Sequence, residues 1–187
     1  MTERLEQDQP LDEAFQRAAT DPLTGLYNRN YILDAIEKDT RRARRYGTPL
    51  SCLMLDLDGF KELNDKYGHL VGDSVLRQVA ETIASSLRET DIAARYGGDE
   101  FCIVAPATGL DGAMLLAERL RSALATMDVV AGGRLLTVTA SVGVFSPTTM
   151  SQVRLTTLID CAESAVRKAK LAGNQVCTYS MPSIGVA

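Results

Sequence analysis

The spacing of apolar residues divides the chain into segments with helical and strand-like patterns. Residues 50–58 form an almost unbroken apolar run that ends in two aspartates, which is typical of a central strand covered on both faces. Amphipathic helical spacing occurs at residues 28–46, 60–67, 69–87, 110–127 and 155–172. Shorter strand patterns occur at residues 92–96, 99–104, 129–130, 134–145 and 176–179. This order predicts an α+β domain of two or three layers with an antiparallel-rich sheet.

Turn and cap residues separate these segments. The glycine pairs Gly97–Gly98 and Gly132–Gly133 each lie between two strand patterns, and we expect both residues of each pair to adopt positive φ in a hairpin turn. Asn28 is predicted as the N-cap of the first long helix, and Gly47 marks its end.

Composition places the chain among ordinary globular proteins. Of its 187 residues, 45% are hydrophobic and 24% are charged, which excludes collagen-like, low-complexity and fibrous classes. The net charge of −4 argues against a nucleic-acid-coating protein, and the arginines within residues 41–45 are interpreted as a solvated helix face. Neither an apolar run of ~20 residues nor the apolar core of a secretory signal in residues 1–15 is found. We expect a cytoplasmic protein without direct membrane insertion.

The same patterns suggest a division of the chain. We expect residues 1–20 to be a helical lead-in, or the remnant of a linker from an upstream sensory domain. Residues 21–180 are predicted to form one domain, followed by a tail at residues 181–187.

The cysteines carry no recognisable chemistry. Cys52, Cys102, Cys161 and Cys177 are widely spaced, and His69 is the single histidine, so a structural zinc site is unsupported. We interpret all four cysteines as reduced packing residues.

Acidic residues at predicted strand ends are the first candidates for chemistry. Asp56 and Asp58 end the apolar strand, and Asp99 and Glu100 follow the Gly-Gly turn. A buried carboxylate is costly unless it is paired or binds a metal, and Mg²⁺ prefers one or two carboxylates together with substrate phosphates. The alternative is structural, with Asp56 capping the strand-to-helix turn and Asp99 occupying a hairpin position.

Phosphate binding has a weaker signal. P-loop and dinucleotide-binding glycine motifs are absent from the sequence. The turn at residues 58–61 opens a short helix, whose N-terminus is suited to an anion, and Lys61 adds a positive charge there. The alternative for Lys61 is a solvated lysine.

Four motifs in order resemble those of the GGDEF family, the diguanylate cyclases. Residues 95–101 read R-Y-G-G-D-E-F and contain the motif that names the family. Residues 56–73 match the family pattern D-x-D-x-F-K-x-x-N-D-x-x-G-H-x-x-G-D at every fixed position. Residues 21–29, D-P-L-T-G-L-Y-N-R, resemble the first family motif, and residues 140–144, A-S-V-G-V, resemble its late strand. Four ordered motifs are far more specific than one pentapeptide.

The resemblance implies a GGDEF fold, with a central, mostly antiparallel sheet wrapped by helices and related to the polymerase palm and class III nucleotidyl cyclases. It implies condensation of two GTP molecules into cyclic di-GMP with release of two pyrophosphates. Each subunit of a homodimer would hold one GTP, so the homodimer would be needed for catalysis. The implied cofactor is Mg²⁺, with Mn²⁺ as a substitute.

Metal binding and catalysis are implied for the acidic residues. Asp56, the Leu57 carbonyl and Asp99 would be the Mg²⁺ ligands. Asp99 would also assist removal of the ribose 3′-OH proton, and Glu100 is a further catalytic candidate.

Further residues would bind the substrate. Gly97 and Gly98 would let the backbone approach the sugar and the α-phosphate. The remaining phosphates would contact the amides of residues 59–61 and two lysine side chains; the residues concerned are Gly59, Phe60, Lys61 and Lys170.

Asn64 and Asp73 would read the base. Guanine offers N1–H and N2–H₂ donors that a carboxylate accepts, whereas adenine offers no such pair, so unmatched polar groups would discriminate between them. On position alone, Asp73 is equally an N-cap of the long helix, and Asn64 a turn amide.

The last helix departs from the family pattern A-x-x-A-L-Y-x-A-K-x-x-G-R-N. Residues 162–175 read A-E-S-A-V-R-K-A-K-L-A-G-N-Q, so Lys170 matches the phosphate-binding lysine. The arginine after Gly173 is missing, either replaced by Asn174 or deleted. Arg167 occupies the usual tyrosine position, and our hypothesis is that it partly substitutes for this arginine; the alternative is a solvated helix residue.

Arg88-Glu-Thr-Asp91 resembles the R-x-x-D product-binding site of many family members and implies inhibition by cyclic di-GMP. The alternative is an exposed ion pair worth well under ~1 kcal/mol.

Two other classes of function remain as alternatives. A catalytically weak GGDEF domain would act as a binding or sensing module for GTP or cyclic di-GMP, and a scaffold would only dimerise. The intact Asp99 and Glu100 favour the enzyme.

Overall fold

The computed structural model describes residues 18–151 and 153–179. The predicted lead-in lies outside the described residues except for its last three positions, and the predicted tail at residues 181–187 lies wholly outside them.

Five helices of eight or more residues and eight strands make up most of the described part of the chain. The helices are α1 (Arg29–Tyr46), α2 (Phe60–Tyr67), α3 (His69–Ser86), α4 (Leu110–Thr126) and α5 (Leu155–Ala169). The strands are β1 (Tyr27–Asn28), β2 (Leu50–Leu57), β3 (Ile92–Gly97), β4 (Glu100–Pro106), β5 (Val129–Ala131), β6 (Arg134–Leu136), β7 (Ala140–Phe145) and β8 (Val176–Thr178). Asn28 caps α1 through its side chain, which accepts a hydrogen bond from the amide of Tyr31, and Gly47 ends the helix in the left-handed conformation.

Six strands form the central sheet in the order β1-β3-β4-β2-β7-β8. The three inner pairs, β3–β4, β4–β2 and β2–β7, are antiparallel, and the two outer pairs, β1–β3 and β7–β8, are parallel. The predicted α+β fold with a mostly antiparallel sheet is therefore confirmed. β2 lies inside the sheet, as its continuous apolar pattern predicts.

Helices cover both faces of this sheet and make three layers. Because side chains alternate along a strand, Leu53, Leu55 and Leu57 pack with α3 and α4, while Cys52 and Met54 pack with α1 and α5. The three-layer arrangement follows from this double burial.

The cysteines are free thiols, as predicted. Cys52, Cys102 and Cys161 are buried and Cys177 is half-buried.

The strand predicted over residues 134–145 is wrong as a single element. β6 pairs with β5 in a separate two-stranded sheet, whereas β7 joins the central sheet. The predicted strand is interrupted at Thr139, which is hydrogen-bonded to Asp58. The Asp58 amide donates to the Thr139 carbonyl at 2.9 Å, and the Thr139 hydroxyl donates to the Asp58 carboxylate at 2.8 Å.

The first Gly-Gly turn is also corrected. Gly98 has φ of 42°, but Gly97 lies in β3 and is not a positive-φ residue. Arg95 pairs with Phe101 and Gly97 pairs with Glu100, so one extra residue of β3 is accommodated between these two pairs. The turn residues are therefore Gly98 and Asp99, not Gly97 and Gly98. At Gly132–Gly133 both residues do have positive φ.

A glycine on β7 lets α5 approach the sheet closely. A Cβ at Gly143 would lie 2.1 Å from the Val166 amide nitrogen and 2.3 Å from the Ala162 carbonyl oxygen of α5. Only glycine permits this packing, and the packing carries the end of α5 to the end of β2.

None of the described helices combines the length and apolar character needed to cross a membrane.

Candidate active site

Three predicted acidic residues meet at the end of β2. Asp56 and Glu100 lie directly opposite each other on the antiparallel strands β2 and β4. Asp99 is in the adjoining turn, where its carbonyl accepts a hydrogen bond from the Leu57 amide at 3.3 Å. Asp56 does not cap the following helix, since Gly59 is the N-cap of α2. The capping alternative for Asp56 is therefore wrong, whereas Asp99 does occupy a hairpin turn.

An ammonium group lies at two of the three predicted metal donors. Lys170 Nζ donates to Asp56 Oδ1 at 2.5 Å and to the Leu57 carbonyl at 2.9 Å. Both oxygens are thus directed at one point and bind a cation there. Hard oxygen donors of this kind suit Mg²⁺, so these residues fit the implied metal. Across the described residues, no group of three or more His, Cys, Asp or Glu side chains is arranged to hold a metal ion.

Burial and neighbouring negative charges make ionisation of Asp56 and Glu100 costly. Burial raises the pKa of Asp56, Lys170 opposes this by hydrogen bonding and charge, and Asp99 raises the pKa further. Burial also raises the pKa of Glu100, followed by the charges of Asp56, Asp99 and Glu163. Repulsion of this kind at a partly open site is typical of a centre that binds cations.

Asp56, Glu100 and Lys170 line a cavity of about 590 Å³ between the sheet and helices α1 and α5, and Asp99 lies outside this lining. Its charged lining includes residues that the sequence analysis did not assign, Arg29 and Glu163, together with Arg167. Arg29 ends the first family motif, which was the available signal for it. Its guanidinium carbon lies 4.7 Å from the centre of the Tyr96 ring.

Arg167 lies in the same cavity as Lys170 but is engaged on its own helix. Its NH2 group donates to the Ser164 hydroxyl at 2.9 Å, and its NH1 group lies 3.7 Å from Glu163 Oε2. The Arg167 guanidinium is thus a second cation in the cavity lined by Asp56 and Glu100, and its contacts are with its own helix.

The predicted base-reading residues lie on the neighbouring helices α2 and α3. Asn64 is inside α2, and its Oδ1 atom is buried without a hydrogen-bond partner among the described residues. Gly72 of α3 faces this oxygen, and Asp73 follows it inside the helix. Asp73 is thus not an N-cap, because Gly68 caps α3. Asn64 is not a turn amide, because it lies inside α2. A buried, unpaired acceptor needs an explanation, and a ligand donor provides one.

The predicted phosphate site lies at the start of α2. Gly59 is the N-cap with φ of 65°, and it makes no side-chain cap, so the first amides of α2 stay available for an anion. Phe60 is half-buried, and Lys61 is exposed.

Asp58 is a residue whose role the sequence analysis left open. Its carboxylate accepts hydrogen bonds from Thr139, Ser141 and the amide of Asn174. Strand β7 and the turn after α5 are both tied to the end of β2 in this way.

The motif at residues 21–29 is hydrogen-bonded through Arg95 to the turn at Gly98 and Asp99, which we call the GGDEF turn. Asp21 accepts hydrogen bonds from the amide and hydroxyl of Thr24, and the Arg95 guanidinium lies 3.4 Å from both Asp21 oxygens. These hydrogen bonds and the charge of Arg95 lower the pKa of Asp21, although burial opposes them. Arg95 Nε also donates to the Gly98 carbonyl at 2.9 Å, which connects the two motifs.

Arg88 and Asp91 lie away from this cavity. The Asp91 carboxylate accepts a hydrogen bond from the Arg88 amide at 3.1 Å, and the Asp91 amide donates to the Arg88 carbonyl at 3.0 Å. Their side chains therefore do not form the ion pair of the structural alternative. The Arg88 side chain is exposed beside a cavity of about 360 Å³.

Comparison with known sequences identifies relatives over most of the chain. The family described as diguanylate cyclase, GGDEF domain, matches residues 18–176. The response regulator PleD of Caulobacter vibrioides is 40% identical over 165 residues, which are 87% of this chain and 36% of PleD. Diguanylate cyclase DgcP of Pseudomonas aeruginosa is 39% identical over the same share of this chain and 24% of its own length. The chain thus spans about a third or less of these curated relatives.

Solved structures give the same result. Diguanylate cyclase SiaD of Pseudomonas aeruginosa, in complex with its activator SiaC, superposes with a TM-score of 0.84 at 35% identity, covering 95% of this chain and 68% of SiaD. The coiled coil and GGDEF domain of DgcB from Caulobacter crescentus, in complex with c-di-GMP, gives 0.86 at 27% identity, covering 94% and 93%. Together with the four motifs and the acidic site at the GGDEF turn, these matches show that this chain belongs to the GGDEF family.

Proposed function

We propose that this chain is a diguanylate cyclase that condenses two GTP molecules into cyclic di-GMP. The observation that carries the proposal is the arrangement at the end of β2, where Asp56 lies opposite Glu100. There the Lys170 ammonium binds Asp56 and the Leu57 carbonyl in an open cavity. The names of DgcP and SiaD as diguanylate cyclases support it.

The metal ligands in this proposal are Asp56, the Leu57 carbonyl and Asp99, with Mg²⁺ as the ion and Mn²⁺ as a substitute. The bound ion would supply charge neutralisation at the α-phosphate and the attacking oxygen. Lys170 then has to leave the Asp56 and Leu57 oxygens, and its ammonium turns to the substrate phosphates in the same cavity.

The reaction balances without a protein nucleophile. The 3′-oxygen of one GTP forms a bond to the α-phosphorus of the other, the bond from that phosphorus to pyrophosphate breaks, and a second such step closes the ring. Asp99 accepts the 3′-OH proton, and Glu100 adds negative charge beside it. Gly97 and Gly98 leave room for the sugar. Positioning of the two substrates supplies most of the acceleration in such reactions.

The substrate is held at two further places. The amides of Gly59, Phe60 and Lys61, with the Lys61 side chain, bind the outer phosphates at the start of α2. Asn64 and Asp73 read guanine, and the unpaired Oδ1 atom of Asn64 supports this assignment because it awaits a donor such as N2–H₂.

Assembly and regulation belong to the same proposal. One bound GTP offers a single 3′-OH and a single α-phosphate, so two subunits must face each other. Specific activity should therefore rise with protein concentration, and a flat dependence in a proven monomer would contradict the homodimer. We assign the product site to Arg88 and Asp91. The c-di-GMP complex of DgcB supports binding of this product by a related domain.

The test is to incubate the chain with GTP and Mg²⁺ and to measure cyclic di-GMP by chromatography. We expect product from the wild type and none from Asp56→Asn or Asp99→Asn, because each variant removes a metal ligand. Asp128→Asn, at an exposed position, serves as the charge-matched control. Near-normal turnover by Asp56→Asn or Asp99→Asn would refute the assignment.

A sensing module for GTP or cyclic di-GMP is the second candidate. Cyclic di-GMP phosphodiesterase NbdA of Pseudomonas aeruginosa is 42% identical over 129 residues, so related segments occur in proteins named for another activity. GTP binding by the wild type without any product at high protein concentration would favour this candidate.

A further inference from the structure

Asp58, at the end of β2, contacts two other segments of the chain, the start of β7 and the turn after α5. Its Oδ2 atom accepts hydrogen bonds from the Thr139 hydroxyl at 2.8 Å and the Asn174 amide at 2.7 Å. Its Oδ1 atom accepts one from the Ser141 hydroxyl at 2.8 Å and lies 3.8 Å from Lys170 Nζ. A carboxylate with this many donors is held in one orientation.

Asn174 extends this arrangement to the opposite side of the sheet. Its side-chain Oδ1 accepts a hydrogen bond from Arg121 NH1 at 2.8 Å, and Arg121 is itself paired with Glu118 at 2.7 Å. Arg121 lies on α4, which packs on the sheet face opposite to α5. We call Arg121, Asn174 and Asp58 the Asp58 network.

The network fixes the turn that follows α5. Gly173 and Asn174 have φ of 69° and 47°, so two successive left-handed residues direct the Asn174 amide at Asp58. Lys170 begins this turn, and the Gly173 amide donates back to the Ala169 carbonyl at 3.1 Å. Movement of the turn would therefore move Lys170.

We propose that the Asp58 network positions the Lys170 ammonium at the Asp56 and Leu57 oxygens and, in the loaded enzyme, at the substrate phosphates. Arg121, Asn174 and Asp58 are thus positioning residues that act through Lys170. This inference rests on the proposed function for its effect on GTP, but the placement of Lys170 is testable without any nucleotide.

The first experiment measures how fast Lys170 is acetylated in the nucleotide-free protein, by mass spectrometry at limiting reagent. The exposed Lys61 and Lys168 serve as internal references. We expect Arg121→Ala and Asn174→Gly each to raise the rate at Lys170 about fivefold, the effect of losing one hydrogen bond. Glycine keeps the left-handed conformation and removes only the side-chain link.

The matched control is Arg119→Ala on the same helix. Arg119 donates to the Ser86 carbonyl at 2.5 Å and lies outside the network, so the rate at Lys170 should stay unchanged. An unchanged rate in both Arg121→Ala and Asn174→Gly would overturn the proposal, whatever the outcome of the cyclase assay. Should Arg121→Ala fail to fold, Asn174→Gly alone decides.

The second experiment measures GTP turnover. Loss of positioning should raise KM for GTP about fivefold with little change in kcat. In a Lys170→Ala background, Arg121→Ala should add nothing to KM, because residues that act through one another are not additive. An equal, additive effect in that background, or an unchanged KM with only a lower Tm, would show a purely structural role and overturn the proposal.

Discussion

Replacement of Gly72 by alanine is the sharpest test of guanine recognition. Gly72 is buried inside α3, and its added Cβ would lie 1.9 Å from Asn64 Oδ1 and 2.9 Å from Asn64 Cγ. The same Cβ would lie 3.2 Å from Phe60 Cζ. No adjustment of a few tenths of an ångström removes such an overlap, so the Asn64 amide has to rotate away from its position.

The magnitude follows from the opposing effects of the added methyl group. Alanine in place of glycine favours a helix by about 0.5–1 kcal/mol, which offsets part of an overpacking cost of about 1–3 kcal/mol. The protein should therefore stay folded. Loss of the hydrogen bonding of Asn64 to the base should cost about 1–3 kcal/mol of binding free energy, or roughly 5- to 150-fold in GTP affinity.

The assay is calorimetric titration of the variant with GTP and with ATP. We expect GTP affinity to fall by that factor while ATP affinity changes much less, so that discrimination between the bases decreases. Asn64→Ala should have the same effect, and the double variant should be no worse than either single one. Gly112→Ala is the control, since its Cβ would meet only the Thr108 methyl group at 3.1 Å on an exposed part of α4.

Two results would refute this reasoning. A folded Gly72→Ala variant that keeps wild-type GTP affinity within twofold would show that Asn64 does not read the base. An equal loss of affinity for GTP and ATP would show that the substitution damages the site in general.

Three further predictions follow from charged residues. Burial and Asp56 raise the pKa of Glu100, so its ionised form destabilises the metal-free fold above the raised pKa. Glu100→Gln should therefore raise Tm by about 2 °C at pH 8. A gain in Tm that persists unchanged at pH 4 would contradict this cause. Arg167→Ala should raise KM for GTP if Arg167 supplements Lys170 in the cavity, and unchanged KM would leave it a solvated helix residue. Cyclic di-GMP should inhibit the wild type and not Arg88→Ala; equal inhibition of both, or none in the wild type, would reduce Arg88 to a surface charge.

The sequence was sufficient for the five helices, for most of the strands and for most candidate residues. Residues 50–57 read as a buried strand because an inner strand covered on both faces has no polar side to show. The bounds of α1, α2 and α3 agree with their apolar spacing and with the cap at Asn28. Asp56 and Glu100 were identified because each lies in a short motif that is continuous along the chain, at residues 56–73 and 95–101.

Other features could be identified only from the tertiary structure. The strand predicted over residues 134–145 looked continuous because local propensity contains no information on its partners, and its division at Thr139 comes from hydrogen bonds to Asp58. Arg29 and Glu163 face the cavity only because α1 and α5 pack on the same side of the sheet.

Sequence alone therefore determined the order of elements, the family motifs and the residue types available for chemistry, because periodicity and turn preferences act over a few neighbouring residues. Tertiary structure decided which of these residues meet. Lys170 reaches Asp56 across 114 positions of the chain, and it does so because α5 packs directly on Gly143 of β7 and because Asp58 binds the turn after that helix. Contacts of this length depend on how helices pack on a sheet, which no local pattern encodes.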